Sequence, residues 1–405
     1  MNRSRKIKQV VEVVLKTLGP NLKAKQHYWT FGFSLSVLPF LARAERIYRN
    51  IPQLHAQADN AELPSLSIIV PARNEAQNLR RLLPSLERQE YPGQIEIIIV
   101  DDFSTDGTVE VVERRQRDLM AMRNANCDLK WVSAASLPAG WFGKPNASHT
   151  GACAAQGEWL LFTDADTEHK AFSAASAVAF AQAHDLDGLS IFPQQETRGL
   201  LDSAVLTVAF TCLFAGLPRS TTMLNGQYVL VRREVYEASG GFEAVRAEMM
   251  EDLAFGRLLA DMGYQVPMMR GESLVNVHMY NNWRQMWHGV NRLGSGSLRY
   301  NGLLALVPAI FVTGLMMPIW TLLFNRRYVR EMPSLWLIWF ASMVGFLPWV
   351  SRFSRNRKTK NNKRSMAPGV MMAPVAAIFV QIASVWGLVS RLLGWGVSWK
   401  DRKVR

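Results

Sequence analysis

Two aspartates one residue apart, Asp164 and Asp166, directly follow an apolar run at residues 159–162. Carboxylate oxygens suit a hard divalent cation such as Mg²⁺ or Mn²⁺, which keeps part of its water shell and takes its remaining ligands from a diphosphate. Asp is also common in the turns that follow strands. The pair on its own therefore leaves two interpretations open, a metal site and a polar turn.

Polar and acidic residues also follow two other apolar runs, which we predict to be strands. Pro71, Ala72 and Glu75 come at or soon after the end of the first strand, and Asp101 and Asp102 come directly after the second. Each of these residues could simply cap a helix or form a turn. Carboxylates gathered at three strand ends would repel one another unless a cation neutralised them. Together they favour a site for a cation and a diphosphate.

The elements that must position these residues alternate along the chain. Apolar runs predict strands at residues 66–70, 95–100, 129–132 and 158–163, and helical patterns lie between them, including one over residues 144–155. Such alternation is typical of an α/β fold with a right-handed, mostly parallel sheet and helices on both faces. Ligands of such sheets bind at the carboxyl ends of the strands, where the acidic residues lie.

A glycine-containing loop precedes the helix predicted at residues 144–155. It reads Gly140-Trp141-Phe142-Gly143-Lys144 and offers backbone amides and one cation at a helix N-terminus, where phosphates bind. The sequence has no Walker-type phosphate loop and no His and Cys set with the spacing of a zinc site. Its three cysteines show no paired spacing, which argues against a disulfide framework and fits a reducing compartment.

The basic residues of the chain are concentrated in two blocks. Residues 1–25 carry seven Lys or Arg against one Glu, and residues 351–365 carry seven with no acid, while the formal net charge of all 405 residues is +13. The rest of the chain is therefore close to neutral. A nucleic-acid binder usually spreads its basic residues over a folded face, whereas basic blocks beside apolar segments favour lipid headgroups. We expect anionic membrane lipids as partners and no nucleic acid.

Three uncharged, apolar stretches lie near the C-terminus, at residues 303–324, 332–350 and 366–390. A transmembrane helix needs about 20 residues, and tryptophans lie near several ends of these stretches, as they do at membrane interfaces. We predict about three transmembrane helices. The basic loop at 351–365 is then cytoplasmic, as is the α/β region, although the basic C-terminal tail would lie outside.

These patterns divide the chain into three predicted domains. Residues 1–62 would form a basic arm with a short apolar segment at the membrane interface. Residues 63–300 would form the α/β domain, and residues 301–405 a membrane domain. The predicted location is the cell (inner) membrane, with several crossings and the α/β domain in the cytoplasm.

Four segments together resemble the family 2 glycosyltransferases of the GT-A fold, a Rossmann-like fold of nucleotide-diphospho-sugar transferases. They read VPARNE (70–75), VDDFSTDGT (100–108), GWFGKPNASHTGACAAQGEWLLFTDADT (140–167) and MEDLAFGRLLADMGY (250–264). Their order and spacing match the family. The Gly-Trp-x-Gly-Lys loop and the apolar C-terminal region are most similar to a membrane-associated subgroup that includes carotenoid and hopanoid-associated glycosyltransferases.

The resemblance implies a role for each matching residue. The nucleotide-sugar site would consist of Pro71, Ala72, Glu75, Asp101, Asp102, Lys144 and Asp164. Asp166 would ligate Mg²⁺ or Mn²⁺, with Asp164 beside it. Asp252 would be the general base and Glu251 the second choice, and the alternative role for Asp252 is an N-cap of the helix that follows.

The acceptor site is marked by fewer residues. The segment that contains Gly226 and Gln227 resembles the part of the family that closes the acceptor pocket. Trp283 and Arg284 depart from the Gln-x-x-Arg-Trp motif of processive synthases, which argues against polymer synthesis, and they would either contact the acceptor or anchor a helix at the membrane interface. The apolar stretch at 203–218 is too short to span a membrane. It is either a buried core helix or a helix that enters the bilayer and receives a lipid-soluble acceptor.

The implied activity is inverting, metal-dependent transfer of a sugar from a nucleotide-sugar donor, a UDP-hexose, to a hydroxyl group of a lipophilic acceptor such as a carotenoid or another isoprenoid alcohol. Two alternatives stay open. One is a polysaccharide or polyprenyl-phosphate sugar transferase, and the other is a non-catalytic membrane scaffold that retains the GT-A fold. The intact set of acidic residues argues against the scaffold.

Overall fold

The computed structural model describes residues 34–56, 62–122, 127–216, 223–301, 311, 314–316, 333–353, 355–356, 372–393, 397–399 and 402–404. Most of the predicted basic arm, most of the first predicted membrane stretch and most of the basic loop at 351–365 lie outside these described residues.

The strands are short and mostly buried. In chain order they are β1 (Leu66–Ala72), β2 (Ile95–Asp101), β3 (Cys127–Ser133), β4 (Trp159–Thr163), β5 (Thr167–His169), β6 (Gly188–Phe192), β7 (Gln194–Thr197), β8 (Tyr228–Arg232), β9 (Met268–Arg270), β10 (Val275–Val277), β11 (Arg355–Asn356), β12 (Val397–Trp399) and β13 (Arg402–Val404). Apolar side chains dominate β1, β2 and β4, which suits strands with both faces covered.

The helices begin with α1 at residues 34–50. They continue as α2 (Ala76–Glu87), α3 (Thr108–Met122), α4 (Gly143–Ala154), α5 (Ser173–Ala183), α6 (Leu200–Gly216), α7 (Arg233–Ala238), α8 (Gly241–Ala244), α9 (Glu251–Asp261), α10 (Trp283–Asn301), α11 (Pro333–Phe353) and α12 (Ala373–Leu392). The helix predicted over residues 144–155 is confirmed as α4, shifted by one residue.

A seven-stranded sheet carries the strand ends that were predicted to hold the ligand. Its order is β3-β2-β1-β4-β8-β6-β9. β1 runs parallel to β2 and β4, and β2 runs parallel to β3, whereas β8 is antiparallel to both of its neighbours. The prediction of a mostly parallel α/β sheet is confirmed, with one reversed strand that the sequence did not indicate.

Helices cover both faces of this sheet. One buried cluster joins α2, α3 and α5 to one face and includes Leu79. A second cluster joins α4, α7, α8 and α9 to the opposite face and includes Phe242. α4 approaches β1 so closely that a Cβ on Gly151 would lie 2.4 Å from Ile69 Cγ2. The glycine therefore lets α4, and the loop before it, lie against the carboxyl ends of the strands.

A small four-stranded sheet, in the order β11-β7-β10-β5, begins just after Asp166. β10 pairs with β5 in antiparallel orientation, so that Asn276 lies opposite Glu168. β7 pairs with β10 in parallel orientation and places Gln194 beside Asn276. β11, which follows α11, pairs with β7. The small sheet thus connects the residues next to Asp166 with the C-terminal helices.

A third hydrophobic cluster lies where α1, α6, α11 and α12 meet. Tyr48 of α1 is buried there and contacts the rings of Phe192, Phe214 and Trp349. The sequence predicted a separate arm over residues 1–62. Residues 34–56 instead belong to the folded body, because apolar side chains of α1 are buried against α6 and α11.

α6 occupies the apolar stretch that the sequence placed either in the core or in the bilayer. Its buried side chains include Val205, Val208 and Phe214, and it packs against α11 and α12. This burial agrees with the core-helix alternative. The partners of α6 are themselves the apolar helices of the predicted membrane domain.

One segment of the described residues, Ala373–Ser390 within α12, is long and apolar enough to cross a membrane, with a mean hydropathy of 1.8. Trp339–Val350 within α11 is apolar but shorter. The first of the three predicted transmembrane stretches lies mostly outside the described residues. Several membrane crossings therefore stay a prediction.

Candidate active site

The carboxyl ends of β1, β2 and β4 lie side by side in the main sheet. β1 and β2 are in register at Ala72 and Asp101, and the backbone amide of Asp102 donates to the carbonyl of Ala72 at 2.8 Å. Both aspartates are buried. The amide of Ser104 donates to Asp101 Oδ1 at 3.2 Å, which orients this carboxylate. The structure thus brings together three residues predicted for the nucleotide site.

The loops after β1 and β2 are bonded to each other. The amide of Asn74 donates to Ser104 Oγ, and the amide of Glu75 donates to Thr108 Oγ1, each at 2.9 Å. Asn74 has a φ of 53°, a left-handed conformation that Asn adopts more readily than most residues. The Glu75 carboxylate accepts from Asn78 Nδ2 at 2.6 Å. The two loops therefore form one surface at the ends of both strands.

Lys144 joins two parts of the predicted site. Its ammonium group lies 2.7 Å from Asp164 Oδ1, just after β4, and 2.9 Å from Glu251 Oε1 at the start of α9. Lys144 is the second residue of α4, which begins at Gly143. The glycine-containing loop therefore delivers one cation between two acidic elements that are far apart in the sequence.

Asp252 is held by two backbone amides. Gly226 donates to its Oδ2 at 2.9 Å, and Leu253 donates to its Oδ1 at 2.9 Å. The N-cap of α9 is Met250, so the alternative role of Asp252 as the N-cap is wrong. A Cβ on residue 226 would lie 3.1 Å from both Asp252 Oδ2 and Lys144 Nζ. Glycine therefore lets the backbone approach these charged groups without crowding.

Asp166 supplies an atom that fits a metal ion. Its Oδ1 is buried and has no hydrogen-bond partner among the described residues, while its carbonyl accepts from the amide of His278 at 2.9 Å. Within the described part of the chain, no group of three or more His, Cys, Asp or Glu side chains is arranged to hold a metal. Mg²⁺ and Mn²⁺ bind through one or two carboxylates and leave other positions to water and phosphate. The Asp164 and Asp166 pair fits such an ion.

The charges at the site shift the protonation equilibria of Lys144 and Asp166. Burial opposes the charged form of Lys144, but the carboxylates of Asp164, Glu251 and Asp252 outweigh it and raise the pKa of the lysine. Burial and the charge of Asp164 raise the pKa of Asp166 to about 7. Lys144 therefore stays positively charged. A bound cation would stabilise the ionised form of Asp166.

The adjacent carboxylates Glu251 and Asp252 differ in proton affinity. Burial opposes ionisation of Glu251, but the positive charges of Lys144 and Arg292 outweigh it and lower its pKa. Burial and the negative charge of Glu251 raise the pKa of Asp252. Glu251 is thus the fixed anion of the pair, and Asp252 is the better proton acceptor.

A cleft opens between α4, β4 and α9. It is lined by Pro71, Lys144, Ser148, Phe162, Thr163, Asp164, Gly226, Val229, Phe242, Glu251, Asp252 and Phe255. Six of these were predicted as site residues, namely Pro71, Lys144, Asp164, Gly226, Glu251 and Asp252. The predicted residues of the nucleotide site that do not line this cleft lie at the adjacent ends of β1 and β2.

Three residues predicted for the acceptor are not among those that line the cleft. Trp283 begins α10 and is exposed, and the guanidinium of Arg284 lies 5.6 Å from its ring centroid. Gln227 is buried, where its carbonyl accepts from Thr163 Oγ1 at 2.9 Å and its Oε1 accepts from Gln195 Nε2 at 3.2 Å. The acceptor role of these residues stays a prediction.

A buried network behind the aspartates was missed in the sequence. Thr163 Oγ1 lies 3.0 Å from Thr167 Oγ1 and 3.1 Å from His169 Nε2. Burial lowers the pKa of His169 to about 3, so the imidazole is neutral. The network fixes the turn that carries Asp164 and Asp166. The alternation of Thr167 and His169 along β5 is the signal that could have indicated it.

The chain is similar to several known proteins. Residues 67–238 match the model of the family Glycosyl transferase family 2. Two proteins named 4,4'-diaponeurosporenoate glycosyltransferase, from Staphylococcus aureus strains USA300 and N315, are 26% and 25% identical over 328 residues, which cover 76% of this chain and 83% of theirs.

Among solved structures, a mannosyltransferase from Pyrobaculum calidifontis, in complex with GDP-Man and Mn²⁺, aligns with a TM-score of 0.52 and 19% identity, over 92% of this chain and 99% of that one. This likeness concerns the fold. The family match includes Asp101 and Asp164, and the fold match extends over nearly the whole chain. The chain therefore carries a glycosyl transferase family 2 domain on an α/β, GT-A-like fold.

Proposed function

We propose that this protein is an inverting glycosyltransferase that moves a sugar from a nucleotide-sugar donor, a UDP-hexose, to a hydroxyl group of a lipophilic isoprenoid acceptor. The observation that carries the proposal is the meeting of Lys144, Asp164, Glu251 and Asp252 at one cleft beside the strand ends. The names of the relatives support an isoprenoid acceptor. The apolar helix α12 supports a location at the inner membrane, and the basic block at residues 351–365 supports a cytoplasmic catalytic domain.

The donor nucleotide would lie over the ends of β1 and β2. The carboxylates of Asp101 and Asp102 accept hydrogen bonds from the N–H of a base or from ribose hydroxyls. The diphosphate would then extend toward Asp164 and Asp166. A divalent Mg²⁺ or Mn²⁺ bound by these aspartates would neutralise the diphosphate and make it a better leaving group.

Lys144 supplies a second positive charge at the same place. Its flexible side chain and three N–H donors let it turn from Asp164 toward the diphosphate. Negative charge develops on the leaving phosphate oxygen as the bond to the sugar breaks. A cation positioned there stabilises the transition state more than the ground state.

Asp252 would remove the proton from the attacking hydroxyl. The amides of Gly226 and Leu253 fix the direction of its carboxylate. Burial and Glu251 raise its pKa, which brings its proton affinity closer to that of an efficient base at neutral pH. Direct attack on the side opposite to the diphosphate inverts the anomeric centre, so one base is sufficient.

The substitution Asp252→Asn tests this assignment. We expect transfer to fall by about 10²–10⁴-fold, while donor binding measured by calorimetry stays the same, because the amide keeps the shape but does not take up the proton. Asp261→Asn, an exposed residue at the end of the same helix, is the matched control. Unchanged turnover in Asp252→Asn would remove Asp252 from this role.

Two further experiments test the dependence on a metal ion and the identity of the product. Chelation should abolish donor hydrolysis and sugar transfer, and Mg²⁺ or Mn²⁺ should restore both. Mass spectrometry of lipid extracts from cells with and without the protein should show one hexose added to a pigment or another isoprenoid. Many sugars on one acceptor would favour polysaccharide synthesis, and no donor turnover with either metal would favour the non-catalytic scaffold.

A further inference from the structure

One side of the small sheet carries a polar surface next to Asp166. Because side chains alternate along a strand, the register of β5, β7 and β10 places one set of polar residues on the same side. We call this set the polar face, and its members are Glu168, Gln194, Glu196, Asn276 and His278. The opposite side of the same strands carries Gln195 and His169, which bond to the core.

The polar face lies between the catalytic centre and the apolar helices. On one side, the amide of His278 donates to the carbonyl of Asp166 at 2.9 Å. On the other side, Gln194 Nε2 donates to the carbonyl of Arg352, near the end of α11, at 2.5 Å. Glu196 also pairs with Arg355 in the ladder between β7 and β11. A lipid-soluble acceptor that arrives along α11 would therefore meet the polar face on its way to Asp166.

The polar face is rich in hydrogen-bond acceptors. Carboxylate oxygens of Glu168 and Glu196 lie 3.6 Å from Nε2 and 3.4 Å from Nδ1 of His278. Asn276 is only 4% exposed, and its Oδ1 has no hydrogen-bond partner among the described residues. A buried acceptor atom without a partner costs free energy. A ligand that donates an O–H to this atom would recover that free energy.

We propose that the polar face binds the hydroxyl-bearing end of the acceptor and selects a neutral hydroxyl over a carboxylate. This inference rests on the proposed glycosyltransferase function and specifies its acceptor class. A hydroxyl that enters along the polar face donates to Asn276 Oδ1 before it moves on to Asp252, whereas a carboxylate has no hydrogen to donate. The negative charges of Glu168 and Glu196 also repel a carboxylate. The acceptor then differs in its end group from the carboxylate that the relatives' name specifies, 4,4'-diaponeurosporenoate.

Retinol and retinoic acid are matched probes, because they share an isoprenoid chain and differ in the end group. The full-length protein in detergent micelles receives UDP-glucose, or GDP-mannose if that donor is hydrolysed faster. We expect kcat/KM for retinol to exceed that for retinoic acid by about tenfold or more. Glu196→Gln should lower this ratio, because it keeps the shape and removes the repelling charge. A wild-type protein that uses both acceptors equally, prefers the acid or uses neither overturns the proposal.

A second variant, Asn276→Leu, removes the oxygen without a partner and keeps a similarly branched side chain. We expect KM for retinol to rise by about tenfold, with an equal or higher melting temperature. Glu237→Gln changes an exposed carboxylate outside the polar face and is the control. If Asn276→Leu instead raises KM for the donor in the hydrolysis assay, the polar face binds the donor sugar and the proposal is wrong. Absence of donor hydrolysis in the wild-type protein would count against the proposed function itself.

Discussion

Gly226 allows Asp252 and Lys144 to lie close to the backbone because it has no side chain. Its amide donates to Asp252 Oδ2, and a Cβ at this position would lie 3.1 Å from both Asp252 Oδ2 and Lys144 Nζ. The close approach of the backbone, the carboxylate and the ammonium group therefore favours glycine at this position. Gly226, which the sequence predicted as an acceptor contact, thus holds Asp252 in position.

We expect Gly226→Ala to lower kcat by about 10–100-fold, because a methyl group 3.1 Å from two charged atoms would displace Lys144 or Asp252 from its position. The measurement is steady-state transfer, together with the melting temperature. Gly199→Ala is the control, since a Cβ there would meet no atom within 4 Å. Equal losses of kcat in the two variants would mean that the crowding at residue 226 has no special effect.

His169 couples the free energy of unfolding to pH. Burial lowers its pKa from 6.5 to about 3. Between these two pH values the imidazole is protonated in the unfolded chain and neutral in the folded chain. The stabilisation by the neutral imidazole is complete above pH 6.5. It is lost as the pH falls from 6.5 toward 3, by up to about 1.4 kcal/mol per pH unit.

The test is urea unfolding of the wild-type protein and of His169→Gln between about pH 4 and pH 8. The variant should be less stable at neutral pH, because it loses contacts with Thr163 and Thr167, and its stability should depend less steeply on pH in the acid range. His184→Gln, at an exposed position, should keep the wild-type slope. A wild-type slope in His169→Gln would assign the acid sensitivity to other groups.

At the scale of elements, α1 and α11 are joined by a charge cluster. Arg352 donates to both carboxylate oxygens of Glu45, at 2.5 and 2.7 Å, and its guanidinium lies 4.3 Å from the ring centroid of Tyr48. The hydroxyl of Tyr48 donates to Glu272, which follows β9. The cluster therefore fixes two helices of the third hydrophobic cluster to the catalytic domain.

Arg352→Met should lower the free energy of unfolding by about 1–3 kcal/mol, because Glu45 loses a bidentate partner in a half-buried position. The matched control is Arg49→Met, which removes a 69% exposed partner of the same Glu45 and should cost about 0.5 kcal/mol or less. Thermal and urea unfolding measure both. Equal costs would show that the link between α1 and α11 contributes no more than an exposed ion pair.

The sequence correctly predicted the elements whose formation depends on the residues of the element itself. β1, β2 and β4 are apolar runs that must be buried on both faces, and parallel neighbours then bring their acidic ends to one edge. The reversal of β8 and the pairing of β7 with β11 depend on where distant segments return, which short patterns do not encode. The same holds for α1, since an apolar helix has the same pattern at a membrane interface and against α6.

The site also contains features that the sequence predicted and features that it did not. Asp101, Asp164 and Asp252 could be predicted because their residue types and order resemble a family. The bond from Gly226 to Asp252 could not, because it depends on a contact between two segments that are separated in the sequence. Physical chemistry limits the residue types at such positions, and only the folded chain shows which atoms meet.

At the scale of the whole molecule, the third hydrophobic cluster has an apolar outer surface. Leu337 of α11 is 70% exposed and Ile382 of α12 is 54% exposed, while Phe346 and Ala377 on the same two helices are fully buried. One-sided exposure of large apolar side chains marks a surface that contacts lipid or another apolar partner. The basic blocks of the sequence favour the membrane as that partner, and an isoprenoid acceptor would be dissolved in it.

Charging the outer surface of α12 tests the membrane assignment. In Ile382→Lys combined with Val385→Lys, two half-exposed apolar side chains become charged, and each lysine costs about 2.5–3.5 kcal/mol at the centre of a membrane helix. We expect the fraction that sediments with anionic vesicles to fall several-fold at high salt, where the basic blocks are screened, while donor hydrolysis in detergent is unchanged. Met120→Lys, at a 76% exposed apolar residue of the catalytic domain, should sediment like the wild-type protein. Since salt removes the electrostatic attraction in all three proteins, full retention of the double variant would mean that the outer surface of α12 does not hold the protein on the bilayer.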